Sequence, residues 1–274
     1  RVREFFNDVN VRKGLNVAVD RDTINEIVWD GLMTPRQASP SSFGPYYIEE
    51  AARAYAYYDP DEANAFLDAA GYTERDADGF RLWKDGSGEK VFFVIEGTAA
   101  TGTADSDAAL MLVDYFGAVG VSCTYTSFER SLYTAHWEAN DVMAAWWGGG
   151  HYTLPFHDQG GNYFTGGKVD RPWAGGWGLY HVRGDVPHAS TPPEGHWLWQ
   201  LWEWYDEGRK ALDDQVRIDL HRKIMEVWIE QVPVVGVLGE QPALVIVKNG
   251  VRNIFGSYWN ASVAHDEGLL GAPT

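Results

Sequence analysis

The chain has 274 residues, with 22 Lys and Arg against 39 Asp and Glu and a formal net charge of −17. That balance excludes nucleic acid and anionic membrane as partners, because both need a basic footprint. A composition of 45% hydrophobic and 22% charged residues excludes a disordered chain.

Two helices are predicted in the first thirty residues. Asn7-Asp8 caps one with Val11, Leu15 and Ala18 on one face, and Asp20 caps the next, which buries Ile24, Ile27 and Val28 before Gly31 stops it. Thr34 to Tyr47, with its prolines and serines, reads as loop. Asp59-Pro60-Asp61-Glu62 opens a helix that closes at Gly71, with a cap, a Pro at the first helical position and acids in the first turn. A hairpin is expected from Phe80–Trp83 through Asp85-Gly86-Ser87-Gly88 to Val91–Ile95. Helix at Asp107–Ala118, strand at Val121–Phe128, helix at Arg130–Glu138 and strand at Asp141–Trp147 follow, an alternation that predicts an α/β layer. Gly148 to Gly195 shows no sustained period. Two helices are predicted beyond it, His196–Glu207 and Asp213–Gln231, the second with Val216, Leu220, Ile224 and Val227 inside. Strands at Val234–Leu238 and Ala243–Val247 complete the chain.

Several of these stretches taken together resemble one family, the extracellular solute-binding proteins of family 5 that feed ABC importers. The resemblance is carried by Asp8-Val9-Asn10-Val11-Arg12-Lys13-Gly14-Leu15, Ala18-Val19-Asp20-Arg21-Asp22-Thr23-Ile24 and Gly31. It continues through Tyr58-Asp59-Pro60-Asp61-Glu62-Ala63, Leu67 to Tyr72, Asp78-Gly79-Phe80, Gly120-Val121, Asp141-Val142-Met143, Trp147-Gly148 and Ile224 to Pro233. It implies an α/β fold forming one lobe of a two-lobed periplasmic-binding-protein (type II, Venus-flytrap) architecture. Residues 1–235 are then the second, C-terminal ligand-binding lobe, and 236–274 a return segment packing toward a first lobe outside this sequence. A chain opening at Arg1 without Met or leader fits a fragment of a lipoprotein precursor, and Cys123, mid-strand, is not its anchoring cysteine. The implied partners are a small solute, oligosaccharide or oligopeptide, and the membrane subunits of an ABC permease. The implied location is extracytoplasmic, and the implied state a monomer.

Ligand identity rests on fewer residues. Ile246 to Asn253, with Pro35-Arg36-Gln37-Ala38, resembles the oligosaccharide-binding branch. In peptide-binding members an Asp-Pro after the Trp-Gly stretch holds the peptide ammonium; here Leu154 stands at that place before Pro155. An ammonium without a counter-ion in a closed cleft is costly, which points to sugar.

Nine of the 13 tryptophans fall between Trp137 and Trp204. Trp146 and Trp147 end a strand, where open α/β sheets gather their ligands, and as neighbours they point to opposite faces. One is expected in the core and the other toward a cleft, since a flat indole suits a pyranose face. Trp173 and Trp177 either stack on ligand or pin their loop to the body. Trp197, Leu201 and Trp204 share a helix face and read as core. With Gly148, His151, Tyr152 and Asn162 supplying polar contacts, the candidate ligand-binding set is Trp146, Trp147, Gly148, His151, Tyr152, Asn162, Trp173 and Trp177. His151, His157, His181, His188 and His196 lack the three- or four-residue spacing of metal pairs, so neither metal nor cofactor is expected. No phosphate loop or serine elbow is present and no carboxylate pair stands out. Catalysis on a Trp-lined cleft, by a carbohydrate-active enzyme, is the rival from another class.

Overall fold

The computed structural model describes residues 1–147, 155–156, 161–166, 173–241 and 248–249. Helix α1 (Val2–Asn7) was not foreseen; it forms around Phe5, wholly buried against Tyr72, Trp83 and Phe93. Asp8 caps α2 (Val9–Val17) by accepting from the Asn10 N–H at 2.8 Å, and Asp20 caps α3 (Arg21–Trp29) through Thr23 N–H at 3.0 Å. Ile27, expected inside α3, is exposed, while Ile24 and Asn25 are buried. β1 (Thr34–Pro35) and α4 (Glu49–Arg53) precede α5 (Pro60–Ala69), where Asp59 accepts from Glu62 N–H at 2.8 Å as the sequence predicts.

The expected hairpin forms only next to its turn, where Trp83 N–H donates to Glu89 O at 2.9 Å and Val91 N–H to Arg81 O at 2.7 Å, and beyond Val91 it gives way to a crossover. A single antiparallel bridge joins Leu82 to Lys90, after which the chain becomes β2 (Phe92–Gly97). Helix α6 (Ala104–Ala118), held at its start by a Thr103–Ser106 capping box, leads to β3 (Ser122–Ser127), and α7 (Arg130–Glu138) leads to β4 (Ala144–Ala145). All three strands are parallel in the order β3-β2-β4, with Phe92 opposite Ser122 and Ile95 opposite Ala144. A hairpin would leave the apolar run of β2 on a sheet edge; pairing on both sides buries Phe93 and Ile95 instead. β4 is shorter than expected because Asn140 turns left-handed (φ 58°) and Asp141 N–H closes α7 on His136 O at 3.0 Å. Phe5, Leu15, Leu67, Phe93 and Phe116 form the first core, joining α1, α2, α5 and α6 to the sheet. Cys123 lies in it, and burial pushes its thiol up to about 12.

A second core is built from helices. α8 (Gly175–Arg183) arises inside the stretch read as irregular, and α9 (Trp197–Lys210) packs on α10 (Asp214–Gln231). The buried stripes differ from the expected ones. In α9 they are Leu198, Leu201, Trp202 and Tyr205, with Trp197 and Trp204 half-buried at the margin. In α10 they are Leu220, His221, Ile224, Met225 and Trp228, while Val216 is 39% exposed. The shift has a polar cause. A 3-10 turn at Gly161–Thr165 offers three successive carbonyls, and three indole N–H groups take them: Trp173 to Tyr163 O at 2.6 Å, Trp228 to Phe164 O at 2.8 Å, Trp202 to Thr165 O at 2.9 Å. The rings must therefore point inward.

β5 (Leu238–Gly239) pairs antiparallel with β1, drawing the last described turn of chain back onto the first helices. The expected strand at Ala243–Val247 lies outside the described residues. Among the described residues, no helix is long and apolar enough to cross a membrane.

Candidate functional site

The three parallel strands end together at Gly97, Ser127 and Ala145, and this carboxyl edge is where an open α/β sheet takes ligand. The chain is drawn tight there. Trp146 N–H donates to Glu96 O at 2.7 Å and Phe128 N–H to Gly97 O at 2.8 Å. A Cβ at position 97 would come 2.9 Å from Tyr125 Oη and 3.1 Å from Trp146 O, so glycine is needed for the approach.

Helix α7 starts from this edge, its first N–H groups capped by Glu129, which accepts from Ser131 N–H at 2.8 Å. Arg130, Tyr133 and His136 recur every three residues and so share one side of the helix. Trp147 lies on that side, stacked on Tyr133 at 5.3 Å and 10° with the Arg130 guanidinium 4.3 Å from its ring centre. Trp146, its neighbour, packs against the first core. The two indoles thus point to opposite faces, as alternation along a strand requires. His136 Nδ1 sits 3.0 Å from Glu96 Oε2, and the Phe128 ring meets the imidazole edge-on at 5.0 Å. The edge therefore carries a half-buried indole, a guanidinium and a carboxylate-held imidazole, with the Tyr133 ring buried beneath the indole.

Trp173 and Trp177 belong to the second core's margin. Trp173 stacks on Trp197 at 5.7 Å and meets Trp228 edge-on at 5.5 Å; Trp177 lies 4.8 Å from the His196 ring. Helix α8 touches the far end of α7, with Gly176 N–H donating to Asn140 Oδ1 at 3.0 Å and Arg183 paired to Glu138 at 3.1 Å. Gly148, His151 and Tyr152 lie outside the described residues, and Asn162 falls in the 3-10 turn with only its backbone described. Of the histidines, His181 stacks flat on Trp202 at 4.6 Å and His196 caps α9; burial pulls both below the ordinary imidazole range. No group of His, Cys, Asp or Glu suited to a metal ion occurs among the described residues.

Sequence reasoning missed Glu96, Arg130, Tyr133 and His136. Two signals were available: a lone acid ending an apolar strand just before Gly97, and the three-residue recurrence along a predicted helix beginning at that strand's partner.

Comparison with known proteins agrees with the geometry. The profile of bacterial extracellular solute-binding proteins, family 5 (middle part), matches residues 2–170. No curated protein sequence matches. Among solved structures, an oligopeptide-binding protein OppA is 31% identical, with a TM-score of 0.76 over 86% of this chain and 38% of its own. MelB from Agrobacterium fabrum, solved with stachyose, is 17% identical at a TM-score of 0.65, covering 86% of this chain and 34% of its own. AppA from Bacillus subtilis, solved with a nonapeptide, is 17% identical at 0.63, covering 86% and 42%. The chain thus spans less than half the length of these solved relatives, and its α/β fold is that of one lobe of a periplasmic binding protein. The profile match over residues 2–170, with a fold shared with substrate-binding transport proteins, places the chain in the bacterial extracellular solute-binding proteins of family 5, the family of ABC-importer binding components.

Proposed function

We propose that this chain forms one ligand-binding lobe of an extracytoplasmic receptor that takes up an oligosaccharide between two lobes and delivers it, intact, to an ABC permease. The observation that carries the reading is Trp147, held at the sheet's carboxyl edge against Tyr133 and Arg130. An indole fixed in place at such an edge is a platform for the apolar face of a sugar ring. The reading also assigns polar contacts with the ligand to Gly148, His151, Tyr152 and Asn162. Trp173 spends one face on Trp197 and its N–H on Tyr163 O, so what it offers, like Trp177, is the remainder of a half-buried ring. The same reading assigns residues 1–235 to the lobe and 236–274 to a return segment, whose start pairs with β1 as β5; a monomer suffices.

A peptide ligand is the second reading, favoured by the 31% identity to a protein named for oligopeptides. Calorimetric titration of the chain with stachyose and with a nonapeptide separates the two. A sugar response weaker than micromolar, lost in Trp147→Ala and kept in Trp204→Ala, supports the proposal. One lobe supplies half the contacts and none of the closure, so micromolar or tighter sugar binding would argue against a shared cleft. Heat from the nonapeptide alone would replace sugar by peptide. Shortened stachyose after incubation would replace the receptor by a carbohydrate-active enzyme.

A further inference from the structure

The carboxyl edge holds one polar pair that sheet packing does not require. Glu96 sits on the central strand with its side chain 11% exposed, and its Oε2 is 3.0 Å from His136 Nδ1, whose side chain is 33% exposed. A partly buried acid–base pair is weak support for stability, since an apolar pair of similar size packs at least as well. Its chemistry is more specific. In the neutral imidazole a carboxylate facing Nδ1 keeps the proton on that nitrogen and leaves Nε2 a lone-pair acceptor. Among the described residues none bonds Nε2. Phe128 fixes the ring from the side, and Tyr133, one turn back on α7, carries Trp147.

We infer that His136 is a hydrogen-bonding residue of the ligand site, set in its Nδ1–H form by Glu96, and that it reads a hydroxyl donor on a polyhydroxylated ligand stacked on Trp147. The inference rests on the receptor reading above. It adds a residue, a tautomer and the kind of ligand group recognised, with Glu96 as the positioning residue.

The test uses the full chain, 15N-labelled, with long-range proton–nitrogen spectra of the imidazoles. The free protein is expected to show His136 with the proton on Nδ1, and stachyose to shift both His136 Nε2 and the Trp147 indole N–H. Glu96→Gln is expected to raise the share of the Nε2–H tautomer. His136→Gln is expected to weaken stachyose binding about threefold to tenfold, the range of one hydrogen bond, while Trp147 still responds. An Nε2–H tautomer in the unaltered chain, or unchanged affinity in His136→Gln, overturns the inference. A Trp147 response with His136 silent overturns it alone; silence at both removes the sugar reading with it. If the nonapeptide and not stachyose moves both signals, the hydroxyl assignment falls.

Discussion

His221 is 1% exposed, and among the described residues neither of its ring nitrogens has a hydrogen-bond partner. Phe164, Tyr46 and Phe156 enclose it at ring distances of 5.2, 5.5 and 6.3 Å. Burial alone pulls its pKa from 6.5 to about 3, with no charged neighbour contributing. The unfolded chain takes up this proton as pH falls through 6.5, whereas the folded chain refuses it until about 3. Between those values the unfolded state binds more protons, so stability drops as the pH is lowered. At 1.36 kcal/mol per unit, the full window is worth about 5 kcal/mol, and the part above pH 4 about 3 kcal/mol. That is a large share of a typical domain's stability.

The perturbation is His221→Leu, which keeps the volume and removes the titration, with His221→Phe as a second variant should the first pack poorly. Urea unfolding followed by tryptophan fluorescence, at pH 7, 6, 5 and 4, reports the second core, since Trp202 and Trp228 lie in it. Carboxylates titrate in the same range in all variants, so the quantity to read is the gap between curves. The leucine variant is expected near or slightly above the parent at pH 7 and about 3 kcal/mol above it at pH 4. Parallel curves would refute the reasoning, and so would an NMR titration of His221 near 6.5 in the folded chain.

Other consequences are as specific. Gly97→Ala forces a Cβ against Tyr125 Oη and Trp146 O, and is expected to cost about 1–3 kcal/mol, read as a fall in Tm. Cys123, its thiol pushed up to about 12 by burial, is expected to ignore a disulfide-exchange reagent at pH 8 and to react fully in urea. Asn16→Ala removes the acceptor of Arg21 and Gln37 and the donor to Val234 O, leaving buried groups unpaired. A loss of about 2–4 kcal/mol and faster proteolysis near 232–240 are expected.

The parts of the fold legible in advance were those written in local chemistry. Caps at Asp8, Asp20 and Asp59 act within three residues and need no knowledge of the rest. What escaped depends on distant partners. Whether Val91–Ile95 folds back or crosses over is decided by β3, some thirty residues away, not by the turn at Asp85-Gly86. The α9 and α10 stripes rotate because Trp202 and Trp228 must reach carbonyls of a turn that periodicity does not announce. At the site, Trp146 and Trp147 were legible because strand alternation is local. Glu96 and His136 meet across 40 residues and were not.

Several of the residues that carried the family resemblance hold the path of the chain itself. After α10 the chain runs through Val232–Glu240 with almost no regular structure, so its backbone groups need partners from elsewhere. Side chains of the first helices and the following loop provide them. Arg12 donates to Gln231 O at 2.8 Å, Asn16 to Val234 O at 3.1 Å and Arg21 to Gly236 O at 2.8 Å, while Gln37 Oε1 accepts from Gly236 N–H at 2.8 Å. Arg36 closes the set on Glu240 at 2.6 Å. Burial holds Arg12 and Arg21 down at about 10, still charged at neutral pH, and each spends its donors on carbonyls rather than on carboxylates. A Cβ at Gly236 would lie 2.4 Å from Ala38 N, so the segment passes too close for any other residue. Arg12, Arg21, Arg36 and Gln37 are therefore constrained by the path of the returning chain. On the receptor reading proposed above, ligand choice falls instead to the carboxyl edge, where Trp147 and the Glu96–His136 pair make no bond to the returning chain.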